Sequence, residues 1–279
     1  MIDLNGIVND AVRALLYEVS VNPKPGLVDP ISSGPHSDMD IFTFIDSALS
    51  MKPYLMKAAQ LGHDYNGDLS DMFLELREYG KLAEAAMLKA TKNINTHKGA
   101  IFSLGILVCA TSYSIAKDGD VREIVQEMLK DLTKKDFLNL NNKPQNELTA
   151  GELQYLRFNY KGIRGEAESG YPTVFNVGLP ALCNTKGTLN QRLLDTFLNL
   201  VAVNEDSNLL KRSGNDLDVI YWARKQAKDV LELGGCKTML GMQKLEEMNK
   251  IFLKRNLSLG GTADLLILTI FLSLRKNII

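Results

Sequence analysis

Apolar residues recur every three or four positions along most of this chain, which is the spacing of an amphipathic helix. No segment alternates apolar and polar residues over the length of a strand, and glycine and proline fall at helix-length intervals. Helices are predicted over residues 3–21, 37–59, 70–87, 97–116, 121–132, 152–158, 174–182, 189–203, 216–233, 238–254 and 263–274. The pattern predicts an all-α fold of roughly ten helices.

One predicted helix, from His97 to Ala116, is apolar on almost every side. Small residues such as Gly99 and Gly105 lie along it and would let neighbouring helices approach closely. We expect this helix to be buried at the centre of the fold. With 279 residues, of which 45% are hydrophobic, the chain can bury one large core, and we interpret residues 1–279 as a single compact domain with functional loops between its helices.

Composition excludes several classes of partner. A net charge of -1 gives no general attraction to nucleic acid or to an anionic membrane. The three cysteines have neither the spacing of a metal site nor that of a disulfide framework, which is typical of a reducing compartment. The longest apolar runs are too short to span a bilayer, and the first residues carry acids where a signal peptide needs bases. We expect a soluble, cytoplasmic protein that acts on small molecules.

Polar loops rich in glycine and charge interrupt the helical pattern. The longest, residues 22–40, contains PKPGLVD and GPHSDMD, and a loop of this length inside a compact domain is more often a functional site than a connector. Similar clusters lie at residues 95–98, 164–168, 205–212 and 260–264. Each also has a purely structural interpretation, as a turn, a helix cap or a surface ion pair.

His97 and Lys98 favour the functional interpretation. Both fall in the first turn of the predicted buried helix, where the positive end of the helix dipole disfavours cations. A bound anion would remove this conflict and would use the free amides of that turn. The sequence therefore indicates an anion site at this helix end.

Taken together, the loops offer two kinds of group. Candidate phosphate binders are Lys24, Lys98, Arg164 and Arg212, and candidate oxygen ligands for a hard cation are Asp29, Asp38, Glu166, Asp206 and Asp264. A polyphosphate with Mg²⁺ requires both kinds. The chain has no GxxxxGK[ST] loop, no GxGxxG after a strand and no kinase signature, which excludes the common nucleotide-binding folds.

Six motifs, in order, resemble those of the triphosphoribosyl-dephospho-coenzyme A synthase family. They are PKPGLVD, GPHSDMD, NTHKGAIFSLG, GIRGEAESGYPTV, EDSN followed by Arg-Ser-Gly, and GGTADLL, and they extend from residue 23 to residue 266. Leu259 and Thr262 stand where relatives more often have proline and serine. The resemblance implies an all-helical transferase that joins ATP to 3'-dephospho-CoA, giving 2'-(5''-triphosphoribosyl)-3'-dephospho-CoA and adenine.

The resemblance also implies residue roles. The 2'-hydroxyl of dephospho-CoA would attack C1 of the ATP ribose, with Asp38 or Asp206 as the base or as the stabiliser of the cationic sugar. His36 and His97 are alternative proton carriers. The expected substrate-binding residues are Lys24, Asn95, Thr96, Lys98, Arg164, Asn208, Arg212, Gly260 and Gly261. The expected Mg²⁺ ligands are Asp29, Glu166, Asp206 and Asp264.

The implied product is the precursor of a prosthetic group, that of the acyl carrier protein of citrate lyase or of malonate decarboxylase. A separate transferase would attach it, and a homodimer is expected. Two alternatives stay open at the level of sequence. One is a Mg²⁺-dependent N-glycoside or ADP-ribose hydrolase, which would use the same acids to activate water. The other is a helical module that binds a nucleotide or an acyl-carrier partner without turnover.

Overall fold

The computed structural model describes residues 3–138 and 140–279, and every regular element in that part of the chain is helical. The prediction of an all-α fold is confirmed. The α-helices are α1 (Leu4–Ser20), α2 (Ile41–Asp64), α3 (Leu69–Ala90), α4 (Lys98–Lys117), α5 (Val121–Met128), α6 (Leu132–Asp136), α7 (Ala150–Phe158), α8 (Gly162–Glu168), α9 (Leu179–Asn184), α10 (Leu189–Val201), α11 (Ser207–Arg212), α12 (Leu217–Glu232), α13 (Met239–Lys254) and α14 (Gly260–Arg275). A π-helical turn, Val174–Gly178, leads directly into α9.

Helix α4 is the central helix, as its apolar sequence predicts. It packs against α1, α2, α3, α5 and α14. Glycine permits the closest of these approaches, because a Cβ at Gly105 would lie 1.8 Å from the hydroxyl of Tyr54. That hydroxyl donates a hydrogen bond to the carbonyl of Ile101 at 3.0 Å. By length and composition α4 could cross a membrane, but 67% of its most apolar window is buried inside the fold.

Helix α14 is the second buried helix, and it packs against α1, α4 and α10. It begins beside the first turn of α4, where a Cβ at Gly99 would lie 2.0 Å from Oδ2 of Asp264. Two core helices therefore begin at one place. Their first turns, whose main-chain amides have no partner within the helix, form one wall of the site described below.

Some boundaries differ from the predicted ones for identifiable reasons. Helix α2 begins at Ile41 rather than at residue 37, because Asp40 and Thr43 form the capping box. It continues through Pro53 to Asp64. Short helices that the periodicity did not predict, α6 and α11 among them, are too brief to show a repeat; Asp206 caps α11 through the amides of Asn208 and Leu209.

Candidate active site

A cleft of about 920 Å³ lies where the polar loops meet. Its walls come from the loop before α2, the first turn of α4, α8, α11 and the first turn of α14. The predicted site residues that line it are His36, Asp38, Asn95, Thr96, His97, Lys98, Glu166, Asn208, Arg212, Gly260, Gly261 and Asp264. Clusters far apart in sequence thus face one shared space.

Four basic side chains lie in the outer part of the cleft, together with the exposed acids Asp38 and Glu205. Lys98 and Lys161 line it with side chains that are 62% and 47% exposed, and exposed Lys211 lies near them on α11. Lys98 also pairs with Glu84 at 2.9 Å. We call the group Lys98, Lys161, Lys211 and Arg212 the basic rim. Lys161 and Lys211 were not among the predicted phosphate binders, although Lys211 lies in the polar cluster at residues 205–212, because isolated lysines in polar loops are common.

Arg212 holds the loop before α2 against α11. Its guanidinium donates to Oδ1 of Asn256 at 2.8 Å, to the carbonyl of Pro35 at 3.4 Å and to Nδ1 of His36 at 3.0 Å. Burial, and then the positive charge of Arg212, lower the pKa of His36. His36 is therefore a neutral hydrogen-bond acceptor for Arg212 at neutral pH.

His97 lies at the inner end of the cleft and is only 2% exposed. Its Nδ1 is 2.7 Å from Oγ of Ser47, which in turn accepts a hydrogen bond from Oγ1 of Thr96 at 2.6 Å. Burial, and secondarily the charge of Lys24, lower the pKa of His97 to about 3. Its Nε2 has no hydrogen-bond partner among the residues that the structure describes.

Below His97 lies a buried ion pair between Glu18 and Lys24. The two side chains are 3% and 1% exposed, and Nζ of Lys24 also donates to the carbonyl of Glu18 at 2.6 Å. Lys24 does not line the cleft, whereas Glu18 does. Sequence reasoning missed Glu18, although a signal existed: it follows Leu15 by three positions and Ala11 by seven, which places an acid on the apolar stripe of α1.

Asp206 is fully engaged by hydrogen bonds and does not line the cleft. Its Oδ1 accepts from the amides of Asn208 and Leu209 at 2.9 and 3.0 Å. Its Oδ2 accepts from the amide and the hydroxyl of Thr262 at 2.6 and 2.8 Å. Burial raises the pKa of Asp206, against the opposing effect of these bonds. The carboxyl group thereby holds the first turns of α11 and α14 together.

Asp264 lines the cleft beside Gly99. Burial raises its pKa well above the ordinary value, and the negative charges of Glu18 and Asp206 add to that effect. Within residues 3–138 and 140–279, no donor is hydrogen-bonded to its carboxyl group. Asp264 therefore presents free oxygens at the inner end of the cleft, close to Glu18.

The remaining predicted residues have other contacts. Asp29 is buried outside the cleft and accepts from the amides of Ile31 and Ser32, both at 2.9 Å. Glu166 lines the cleft and accepts from the amide of Thr173 at 2.7 Å. Arg164 is exposed and pairs with Asp136 at 2.7 Å, and it does not line the cleft.

The predicted Mg²⁺ ligands do not form a protein-only cage. In the described part of the chain, no group of three or more His, Cys, Asp or Glu side chains is arranged to hold a metal ion. Among the four predicted acids, Glu166 and Asp264 line the cleft and Asp29 and Asp206 do not. Mg²⁺ at a nucleotide site commonly uses one or two carboxylates with phosphate oxygens and water. The residues present fit a metal ion that arrives with a polyphosphate.

Comparisons with known proteins agree on one family. A family model described as ATP:dephospho-CoA triphosphoribosyl transferase matches residues 5–278. A protein of Lactiplantibacillus plantarum, named as a probable 2-(5''-triphosphoribosyl)-3'-dephosphocoenzyme-A synthase, is 54% identical over 99% of both chains. A synthase of the same name from Escherichia fergusonii is 38% identical over 98% of this chain and 92% of its own. No solved structure matches the chain.

Proposed function

Because this chain belongs to the ATP:dephospho-CoA triphosphoribosyl transferase family, we propose that its cleft binds ATP and 3'-dephospho-CoA together and joins them. The bond between C1 of the ATP ribose and N9 of adenine breaks, and a bond forms from C1 to the 2'-oxygen of dephospho-CoA. The C1–N9 electron pair stays on adenine, which takes up one proton, and a base accepts the one proton of the 2'-hydroxyl, so the reaction has no net proton change. The observation that carries the proposal is the meeting of the five polar loops around one cleft that has both cations and acids.

The basic rim is the proposed triphosphate site. Lys98, Lys161, Lys211 and Arg212 bring four cations to the opening of the cleft, and the first turn of α4 adds main-chain amides. Lys24 was predicted to share this role, but its ammonium group is buried against Glu18. Lys24 is better suited to holding the inner end of the cleft in place.

Asp38 is the proposed base. It is exposed, lines the cleft and is free to approach the 2'-hydroxyl, whereas both oxygens of Asp206 already accept hydrogen bonds. We assign Asp206 a positioning role through Thr262. Proton transfer by a positioned side chain contributes ~10²- to 10⁴-fold to a rate.

Mg²⁺ is proposed to enter as the ATP complex, with phosphate oxygens, water and at most one or two cleft carboxylates as its ligands. When bound, it would neutralise triphosphate charge. The chain's own residues would then orient the ribose, bind the phosphates and accept the proton.

The direct test measures adenine release from ATP with and without dephospho-CoA, with product mass as the second readout. The proposal expects adenine only when dephospho-CoA is present, in a ratio of one to one with the joined product. Equal release from ATP alone would instead support the hydrolase, for which the comparisons give no support. Binding of ATP without release would support the module without turnover.

The same proposal extends to the pathway that uses the product, to the cellular compartment and to the oligomeric state. The product would serve a separate transferase that modifies the acyl carrier protein of citrate lyase or of malonate decarboxylase, in the cytoplasm. A homodimer is also proposed. Complementation of strains that lack each pathway's own synthase would separate the two destinations, and light scattering would measure the assembly.

A further inference from the structure

Basic residues are confined to the outer part of the cleft. The basic rim lies at its opening, together with the exposed acids Asp38 and Glu205, while its inner end is lined by Glu18, Asp264 and neutral His97. Lys24 compensates Glu18 from below but is 1% exposed and does not reach the cleft surface. A phosphate placed at the inner end would meet carboxyl groups in a poorly solvated region, which is strongly unfavourable. The inner end therefore suits a neutral ligand.

His97 gives this inner end a fixed hydrogen-bond donor. Thr96 donates to Oγ of Ser47, so the Ser47 hydroxyl hydrogen is free to donate to Nδ1 of His97. That arrangement places the imidazole hydrogen on Nε2. Ser47 is fully buried and does not line the cleft, whereas His97 does. The rings of His97 and Phe44 pack in a T-shaped arrangement with centroids 5.0 Å apart. Nε2 is buried and has no hydrogen-bond partner among the residues that the structure describes, so it is a donor that a ligand reaching the inner end would satisfy.

Asp264 gives the same end an acceptor. Its carboxyl group lies beside Gly99, two residues along the chain from His97. A flat, neutral ligand that carries both a ring-nitrogen acceptor and an amino donor would satisfy both groups. Both ATP and dephospho-CoA carry an adenine base with this combination, and the adenine of ATP is the one whose ribose bears the triphosphate that the basic rim of the same cleft would bind.

We propose that the inner end of the cleft, between His97 and Asp264, binds the adenine that leaves ATP, and that Ser47 positions His97 for this contact. The inference rests on the proposed function and deepens it. Nε2 of His97 donates to a ring nitrogen of adenine, and Asp264 accepts from its amino group. The triphosphate then extends outward to the basic rim, which places C1 of the ribose between the two regions. The leaving adenine and the triphosphate are thus bound by separate sets of residues.

The first experiment uses free adenine and inorganic tripolyphosphate as separate probes in titration calorimetry of the intact chain. His97→Phe should weaken adenine binding about tenfold, the cost of one lost hydrogen bond in a buried site, and leave tripolyphosphate binding within about twofold. Lys211→Met, on the exposed rim, should weaken tripolyphosphate binding and leave adenine binding nearly unchanged. His97→Gln is the matched control, because its amide can replace Nε2 as a donor and should restore part of the adenine affinity.

The positioning role of Ser47 is tested with measurements that a general loss of stability would not change selectively. Ser47→Ala should weaken adenine binding and raise KM for ATP while tripolyphosphate binding and the melting temperature stay close to wild type. Ser47→Thr retains the hydroxyl and should recover adenine binding. If Ser47→Ala weakens both probes equally, its role is general stability and the positioning inference is wrong.

The second experiment compares ATP with inosine triphosphate, whose base carries a carbonyl in place of the amino group. Wild type should favour ATP by about tenfold or more in kcat/KM, because the carbonyl oxygen of inosine has no hydrogen to donate to Asp264 and the hydrogen bond made by the amino group of adenine is lost. Asp264→Asn should narrow this preference, because an amide can donate to the carbonyl. Selectivity unchanged in Asp264→Asn, or tripolyphosphate binding lost in His97→Phe, would overturn the inference. Wild-type turnover with dephospho-CoA is the separate check: its absence contradicts the proposed function itself.

Discussion

Oδ2 of Asp206 accepts a hydrogen bond from the amide of Thr262 at 2.6 Å, across a sequence separation of 56 residues. The same carboxyl group caps α11, so a single side chain joins the first turns of α11 and α14. Gly261 lies against it, since a Cβ at that position would be 3.3 Å from its oxygens. This contact gives EDSN and GGTAD a shared structural role: Asp206 of the first motif is the cap, and Thr262 of the second supplies the amide and hydroxyl that it binds.

Asp206→Asn should destabilise the fold more than it alters the chemistry. An amide offers one acceptor oxygen where the carboxylate offers two, and its NH₂ group would face the amide of Thr262. We expect a loss of about 1–3 kcal/mol in the free energy of unfolding, measured by urea denaturation. Thr262→Ser, which keeps the hydroxyl, is the control and should stay near wild type. A stable Asp206→Asn variant with abolished turnover would instead support the catalytic role predicted from sequence.

Asp38→Asn should give the opposite pattern. Asp38 is exposed, so its replacement should leave the melting temperature unchanged. If Asp38 is the base, the rate of adenine release should fall ~10²- to 10⁴-fold while KM for ATP changes little. The neighbouring exposed residue Ser37 provides a control in Ser37→Ala, which should keep the wild-type rate. Near-full turnover in Asp38→Asn would remove Asp38 from the mechanism.

Lys24→Met should be strongly destabilising, because it leaves Glu18 charged, buried and without its partner. The expected cost is about 3–5 kcal/mol in the free energy of unfolding. The double variant Glu18→Gln with Lys24→Met removes both charges and should recover much of that loss. Thermal and urea denaturation of the two variants would measure the difference, and equal stabilities would show that the pair is not coupled.

His97 should make stability depend on pH below neutrality. Its pKa in the fold is lowered to about 3, so the unfolded chain binds a proton more readily than the folded one. The stability that neutral His97 contributes is complete above the ordinary histidine pKa of about 6.5 and is lost as pH falls toward the lowered value. His97→Gln cannot titrate. The wild type should lose up to about 1.4 kcal/mol per pH unit more than His97→Gln between pH 6 and 5.

The fold was predictable because its signals are local and repeated. Apolar spacing defined the long helices, and the small residues of α4 indicated the close approach that Tyr54 and Gly105 make. The short helix α11 was not predictable, because six residues cannot display a helical period. Its stability depends on its cap, Asp206, and the sequence alone is equally compatible with Asp206 as a metal ligand.

Site residues were harder to assign, since a carboxylate that caps a helix and one that faces a substrate look alike in sequence. Asp29 and Asp264 both follow glycine-containing motifs. The carboxyl group of Asp29 accepts hydrogen bonds from main-chain amides, whereas that of Asp264 accepts none from the described residues and lines the cleft. Only the folded chain distinguishes them. Glu18 shows the converse limit: an acid inside a regular helix attracts less notice than one in a loop, although it lines the cleft.

The shared starting point of α4 and α14 has a consequence for variants far from any substrate. Both helices run from the cleft into the interior and move as rigid units. A repacked side chain near the far end of either helix would therefore tilt the first turn that carries Gly99 or Asp264. A chain altered only in its hydrophobic interior could then fold well and still turn over slowly. Searches for damaging or improving substitutions in this enzyme should therefore include the buried lengths of these two helices.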